Sequence, residues 1–432
     1  MSGSQAKWSA DGSYIHPLDT HTKAKHQILE EYIENLIITL YGKGRYGETT
    51  FTFIDGFCGG GMYDDKDNNT EWQGSPLRII KAVREGYKKS RRQYPLNVNF
   101  IFIDNKQDHL DCLRNYSMPK AGFGNLVDSL SHEFKCDEFE SLLVEKCEFR
   151  CGEFEDLVNW CVFTVSARKG HSFFLLDPFG WTDISMASIR LINSITGSEI
   201  LYTYMIRDLK RFVIGKHGRD TATFNRILEA DGYYESVNLK SLDEPAEQRY
   251  LRNESLRLFR EKGKAKYAHT FSLIPKGYIV VIYYLMHFSQ NLTALQVMKD
   301  TLWKYNNLCH LFEFEVYGFG LKTVDHYKQS PKLDFYIEGT IDSHNACIET
   351  LDREIGQLIR SNHEGTQFRQ ICNDTMQQNP ANKKHYEYYL NRLRRDKEIE
   401  VVRKGKIIRG EKIELQNNDI IRGTGNKQIY LF

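Results

Sequence analysis

The chain lacks an excess of either charge: 58 Lys and Arg stand against 57 Asp and Glu in 432 residues. No global field points to nucleic acid, so any basic face must be local. Paired cysteines are also missing. The nine cysteines are scattered without a C-x-x-C, and only Cys147, Cys151 and Cys161 fall close together. Zinc sites need tighter pairs or histidines at ligand spacing, so no metal is expected, and the usage fits a reducing cytosolic compartment. No apolar run reaches membrane-spanning length, and the first residues lack the charged-then-apolar pattern of a signal peptide. The expectation is a cytoplasmic protein without a membrane partner, long enough for two or three domains. Aromatic residues are abundant, at 13 % with 25 Tyr and 25 Phe. Core packing accounts for most of them.

The most informative stretch is Thr52-Phe53-Ile54-Asp55-Gly56-Phe57-Cys58-Gly59-Gly60-Gly61. Thr52–Ile54 read as the end of a buried strand, Asp55 closes it, and three glycines follow. Ligands of α/β sheets bind beyond the carboxyl ends of the strands, where glycine lets backbone approach them closely. A phosphate-cradling loop would end in Gly-Lys-Ser/Thr, and no lysine follows these glycines. A dinucleotide fingerprint would place glycine directly after the strand, where Asp55 stands. The pattern Asp-x-Phe-x-Gly-x-Gly resembles motif I of Rossmann-like S-adenosylmethionine (SAM)-dependent methyltransferases. That resemblance implies that Asp55, Phe57, Gly59 and Gly61 hold the amino-acid part of SAM.

Taken in order, residues 1–15 are small and polar and are expected to be disordered. Ile28, Leu29, Tyr32, Ile33, Leu36, Ile37 and Leu40 recur at three- and four-residue steps, which predicts an amphipathic helix from about His21. A long loop, Tyr63–Gln73, precedes a helix opened by Ser75 and Pro76. A second strand ends at Asp104, in the place where an acid commonly accepts hydrogen bonds from ribose hydroxyls. A third, short strand, Glu148–Gly152, is followed by Glu153, which by the same resemblance faces the adenine. The fourth, Ser172–Leu176, is apolar throughout, as expected of a strand covered on both faces, and runs into Asp177-Pro178-Phe179-Gly180-Trp181. This partly resembles motif IV of amino-methyltransferases, which implies that Asp177 and Pro178 orient the acceptor while Phe179 or Trp181 stacks on it. The second proline of that motif is absent. A fifth strand at Glu199–Ile206, a charged helical insertion over 215–265, and a closing hairpin from Ala268 to Phe288 complete a seven-stranded α/β sheet. A further helix is read at Leu292–Leu302.

Over its first three quarters the chain resembles the three-Cys-motif partner proteins (TcmP), a bacterial and phage-associated family with a methyltransferase-like fold. The residues that carry this are Lys25-His26-x-Ile28-Leu29-x-x-Tyr32, Phe53–Phe57 with Gly59 and Gly61, Gly74–Leu77, Asp177–Gly180, and Met298–Asp300 with Trp303. Cys58 and Gly60 stand where the family has Ala and Pro. The resemblance implies a protein partner bearing the three-Cys motif, and a place in phage defence or mobile-element biology.

After a strand-like stretch at Leu308–Phe319, the remainder reads as a separate module. A linker over 321–344 leads to helices near Asn345–Arg360, Thr366–Met376 and Asn382–Arg395, and then to two short β runs around Lys404-Gly405. Three helices and a β wing resemble a winged helix-turn-helix over 345–432. Residues 383–410 hold ten Lys/Arg and four Asp/Glu, with Tyr386, Tyr388 and Tyr389 among them. Lys383, Lys384, Arg392, Arg394, Arg395, Arg403, Lys404 and Lys406 are the candidates for DNA contact. A solvated helix face is the plain explanation of any charge run, but a basic third helix combined with a basic wing tip fits DNA phosphate and groove contact better.

Three functions follow as expectations. The first is SAM-dependent methyl transfer to nucleic acid or a modified nucleobase, in the methyltransferase-like domain over 16–320. The second is a non-catalytic SAM- or nucleotide-sensing DNA-binding adaptor of the partner. The third is a nuclease using a metal among Asp55, Asp64, Asp65 and Asp177.

Overall fold

The structure is a computed structural model that describes residues 6–43, 47–90, 94–128, 131–136, 139–178, 180, 183–206, 218–234, 244–278, 280–307, 319–323 and 339–425. The chain forms two compact units, Met1–Thr301 with Lys322–Tyr327, and Leu302–Leu321 with Lys328–Phe432.

The large sheet contains β1 (Thr50–Asp55), β2 (Leu96–Asp104), β3 (His132–Cys136), β4 (Phe139–Cys151), β5 (His171–Leu176), β6 (Ser198–Met205), β7 (Tyr267–Ile274), β8 (Tyr283–Ser289) and β9 (Gly320–Lys322). Their order is β9-β7-β8-β6-β5-β1-β2-β4-β3. The pairs β1–β2, β1–β5, β2–β4 and β5–β6 are parallel, whereas β7–β8, β8–β6 and β3–β4 are antiparallel. Among the described residues the sheet therefore has nine strands where seven were expected, and the two additions, β3 and β9, form its edges. Neither has the continuous apolar run of a covered strand, so neither carried a signal. The central strands do: every residue of β5 is buried, as are Phe51–Asp55 of β1 and Asn99–Asp104 of β2.

Helix α1 (Thr20–Leu40) buries Ile28, Leu29, Tyr32, Ile33, Leu36 and Ile37, the stripe expected from the periodicity. Helix α2 (Ser75–Ser90) packs so closely on it that a Cβ at Gly86 would lie 2.8 Å from Ile37. Helices α3 (Gln107–Cys112), α4 (Phe154–Arg168) and α5 (Met186–Asn193) follow. The insertion contributes Gly218–Leu228 and Glu244–Glu261.

Two local expectations are corrected. The loop Tyr63–Gln73 is a hairpin of Met62–Asp65 with Thr70–Gln73, turned at Asn69 with φ +49°. His16–Pro17 pairs parallel with Tyr63–Asp64. Residues 6–15 are ordered rather than disordered, because the otherwise polar stretch carries an indole. Ala6 and Trp8 are each 2 % exposed, and burying a Trp removes roughly 150–250 Å² from water.

In the second unit a helix begins at Gly339 and continues, through a π-helical turn at Asp352–Gly356, to Ser361. A two-residue strand, Thr366–Gln367, precedes the helix Phe368–Thr375, and Lys383–Arg395 forms the next helix. Asn382 caps that helix: its side chain accepts a hydrogen bond from His385 N, while the His385 side chain reaches back to the Asn382 amide. Strands Ile399–Arg403, Lys406–Ile407 and Ile420–Gly423 complete a four-stranded sheet with Thr366–Gln367. Phe368, Ile371, Tyr386, Tyr389, Leu390, Leu393, Ile399, Val401 and Ile421 are its buried core. The expected hairpin at Lys404-Gly405 is present, with Arg403 opposite Lys406 and positive φ at both turn residues. The longer return strand Ile420–Gly423 was not foreseen. Most of the strand expected at Leu308–Phe319 and part of the linker lie outside the described residues.

Candidate functional site

A pocket of about 230 Å³ opens at the carboxyl ends of β1, β2 and β4. Its wall includes Gly56 and Phe57 after β1, Asp104, Asn105 and Lys106 after β2, and Glu153 and Phe154 after β4. Of the residues singled out in the sequence, Phe57, Asp104 and Glu153 line it, whereas Asp55, Gly59, Gly61 and Asp177 are not among its lining residues. Asn105 and Phe154 were missed, although each directly follows a candidate. Asn105 Nδ2 donates to Glu153 Oε1 at 2.9 Å, and the Phe57 and Phe154 ring centres lie 5.9 Å apart. The pocket thus combines apolar ring faces with an amide and a carboxylate.

Asp104 ties the glycine turn to β2. Gly59 N donates to its Oδ2 at 3.0 Å, Lys106 N donates to its Oδ1 at 2.9 Å, and His109 Nδ1 lies 2.8 Å from Oδ1. A carboxylate offers about four acceptor positions, so Oδ2 keeps room for a further donor. Asp55 is fully buried, and its Oδ1 accepts from Phe57 N at 3.2 Å. Burial pushes its pKa up to about 7, partly offset by hydrogen bonds from Ser75 and the Phe57 amide.

Gly59 and Gly61 have φ of +58° and +82°, a backbone region that favours glycine. Trp8 packs on this turn. Its Nε1 donates to Met62 O at 2.6 Å, a Cβ at Gly59 would lie 2.9 Å from the indole, and one at Gly60 would overlap it. The close approach that the glycines permit is made here by the chain itself.

Asp177 stands at the end of β5, and Lys25 of α1 holds both its oxygens, at 2.7 and 2.6 Å. Burial would raise its pKa, but the Lys25 ammonium and hydrogen bonds from Lys25 and Thr203 keep it below the usual carboxylate value. His21 stacks on Tyr283 beside this pair, with centres 5.0 Å apart, and burial followed by the Lys25 charge pushes its pKa down to about 4. Pro178 is buried; Phe179 and Trp181 lie outside the described residues. Asp65 is paired with Lys23 at 2.8 Å. Among the described residues no group of three or more His, Cys, Asp or Glu is placed to hold a metal ion.

In the second unit the basic candidates separate into two sets. Lys384 and Arg395 on the helix, and Lys404 and Lys406 on the wing, are exposed. Lys383 lies 3.5 Å from Glu387, and the Arg392 guanidinium lies 5.5 Å from the Tyr389 ring centre. Arg394 instead donates to Glu411 O at 2.9 Å. Arg403 grips Asp419 through two bonds of 2.7 Å and reaches Glu414 O at 2.8 Å. These two arginines secure the segment that leads into the return strand.

Residues 328–406 match the family model described as a GMT-like wHTH domain, wHTH denoting winged helix-turn-helix. The match agrees with the element order of the second unit and covers less than half of the chain. No curated protein matches the chain. No described helix is long and apolar enough to cross a membrane.

Proposed function

We propose that the first unit is a methyltransferase-like module that binds S-adenosylmethionine, that the winged helix engages DNA, and that the protein acts with a three-Cys-motif partner. The observation that carries this reading is the pocket at the carboxyl ends of β1, β2 and β4, where ligands of doubly wound sheets bind. Five parallel strands followed by an antiparallel hairpin support the same reading, being the arrangement expected of such methyltransferases.

The residues present fit the adenosine half of the cofactor. Phe57 and Phe154 offer apolar faces, Asn105 and Glu153 a donor and an acceptor, and Asp104 Oδ2 an acceptor for a hydroxyl. When bound, S-adenosylmethionine supplies an electrophilic methyl group. Asp177 stays ionised beside Lys25 and can accept a hydrogen bond from an incoming amine or hydroxyl. Alignment of such groups supplies much of the rate in transfer chemistry.

A second reading, the non-catalytic adaptor, draws support from one observation: Lys25 already occupies both oxygens of Asp177. Calorimetry of the full chain with S-adenosylmethionine and with adenosine tests the pocket, and radiolabelled methyl transfer to DNA, with and without the partner, tests the chemistry. Transfer lost in Asp177→Ala supports the enzyme. Binding without transfer leaves the adaptor, and no binding of either ligand rejects both.

A further inference from the structure

One piece of the chain covers the glycine turn and contributes to the wall of the pocket next to it. Ala6 lines the pocket, and Lys106 Nζ donates to Ala6 O at 3.3 Å. Two residues on, the Trp8 indole lies over Gly59 and Gly60 and meets the rings of His109 and Tyr63 edge-on, at 4.9 and 5.2 Å. The segment is held at several further points. Ser9 N donates to Tyr14 O at 2.9 Å and Leu18 N to Asp64 O at 2.9 Å, and Gly12 sits directly on the Tyr116 ring. Glycines at such a turn allow a ligand close to the backbone; here that space is filled by an aromatic side chain 2 % exposed.

We infer that residues 6–18 are an internal occupant of the cofactor site, with Trp8 standing where the amino-acid half of S-adenosylmethionine would pass over the glycine turn. The inference rests on the cofactor reading above and adds selectivity to it. With Trp8 in place the pocket admits a nucleoside; the full cofactor enters only when the indole leaves. The apparent affinity for S-adenosylmethionine is then lowered by the fraction of molecules whose segment is displaced. Adenosine, which ends short of the turn, escapes that penalty.

Two measurements on the full chain test this. The first titrates adenosine and S-adenosylmethionine into wild type and Trp8→Ala. Trp8→Ala is expected to bind S-adenosylmethionine roughly tenfold more tightly or better while adenosine binding changes little. The second needs no variant: hydrogen exchange in residues 6–18 of wild type should accelerate with saturating S-adenosylmethionine and stay slow with adenosine. Unchanged or increased protection with S-adenosylmethionine, or weaker binding of it by a folded Trp8→Ala, would overturn the inference and leave the cofactor reading standing, with Trp8 a wall of the bound site. Binding of neither ligand by either protein would end both. If Trp8→Ala does not fold, the exchange measurement decides alone.

Discussion

A carboxyl group sealed from water costs less to bury as the neutral acid, and Asp55 illustrates the consequence. Its pKa lies near 7 in the folded protein, well above the ordinary value of 3.8, with burial as the main cause. Between those values the folded state holds a proton that the unfolded chain has lost. The stability due to Asp55 is therefore complete below the ordinary value and is lost as pH rises through about 7. Denaturation midpoints measured from about pH 4 to about pH 8 should show this decline, and Asp55→Asn should flatten it. An undiminished slope in Asp55→Asn would assign the effect to another group. Lys25 presents the opposite case. Lys25→Met leaves the Asp177 carboxylate in place without its cation and should cost about 1–3 kcal/mol in chemical denaturation. Adding Asp177→Asn should recover part of that loss, and additivity of the two changes would mean that the pair contributes nothing.

At the scale of elements, some cations of the wing and of the helix before it are exposed and others are bound within the unit. Lys404 lies in a two-residue turn whose positive φ values bring the strands back on each other, and Lys406 lies just after it. If they meet phosphates, Lys404→Ala with Lys406→Ala should weaken DNA binding evenly across sequences and lower the salt slope by about 1–2. The thermal midpoint should stay the same. Arg403→Ala is expected to do the reverse. It removes both bonds to Asp419, whose side chain is 1 % exposed, and leaves that carboxylate with the Gln416 amide but without its cation. Differential scanning calorimetry should then show a lower midpoint for the second unit. A fall in DNA affinity without one would return Arg403 to the interface.

For the whole molecule, the second unit has a core of its own and should fold alone. Its composition, Leu302–Leu321 with Lys328–Phe432, predicts more than where to cut. Trp303 Nε1 donates to Pro380 O at 2.8 Å, and its ring lies 4.6 Å from that of His385, the residue that closes the helix cap. A fragment of residues 302–432 should therefore unfold cooperatively and be more stable than one of residues 328–432 by roughly 1–3 kcal/mol. Equal stability of the two fragments, measured by urea denaturation, would show that Trp303 contributes nothing to the domain.

What the sequence determined by itself was local. Apolar runs stopped by an acid marked β1, β2 and β5, because a strand covered on both faces must be apolar along its length. A three- and four-residue stripe marked α1, and Lys404-Gly405 marked the wing turn. The acids Asp55, Asp104 and Glu153 were singled out because each closes or follows a strand end; Asp104 and Glu153 line the pocket there, and Asp55 does not. Tertiary structure decided the partners of these groups. Lys25 and Asp177 are 152 positions apart, and Trp8 and Met62 are 54 apart. No local pattern states that an ammonium on the first helix meets the carboxylate after the fifth strand, or that an indole in a polar stretch covers a glycine turn. The lone Trp8 among small residues was the signal available, since so large an apolar surface seeks burial. The edge strands β3 and β9 and the strand Ile420–Gly423 stayed hidden for a related reason. They are held by backbone pairing to neighbours that only the folded chain supplies.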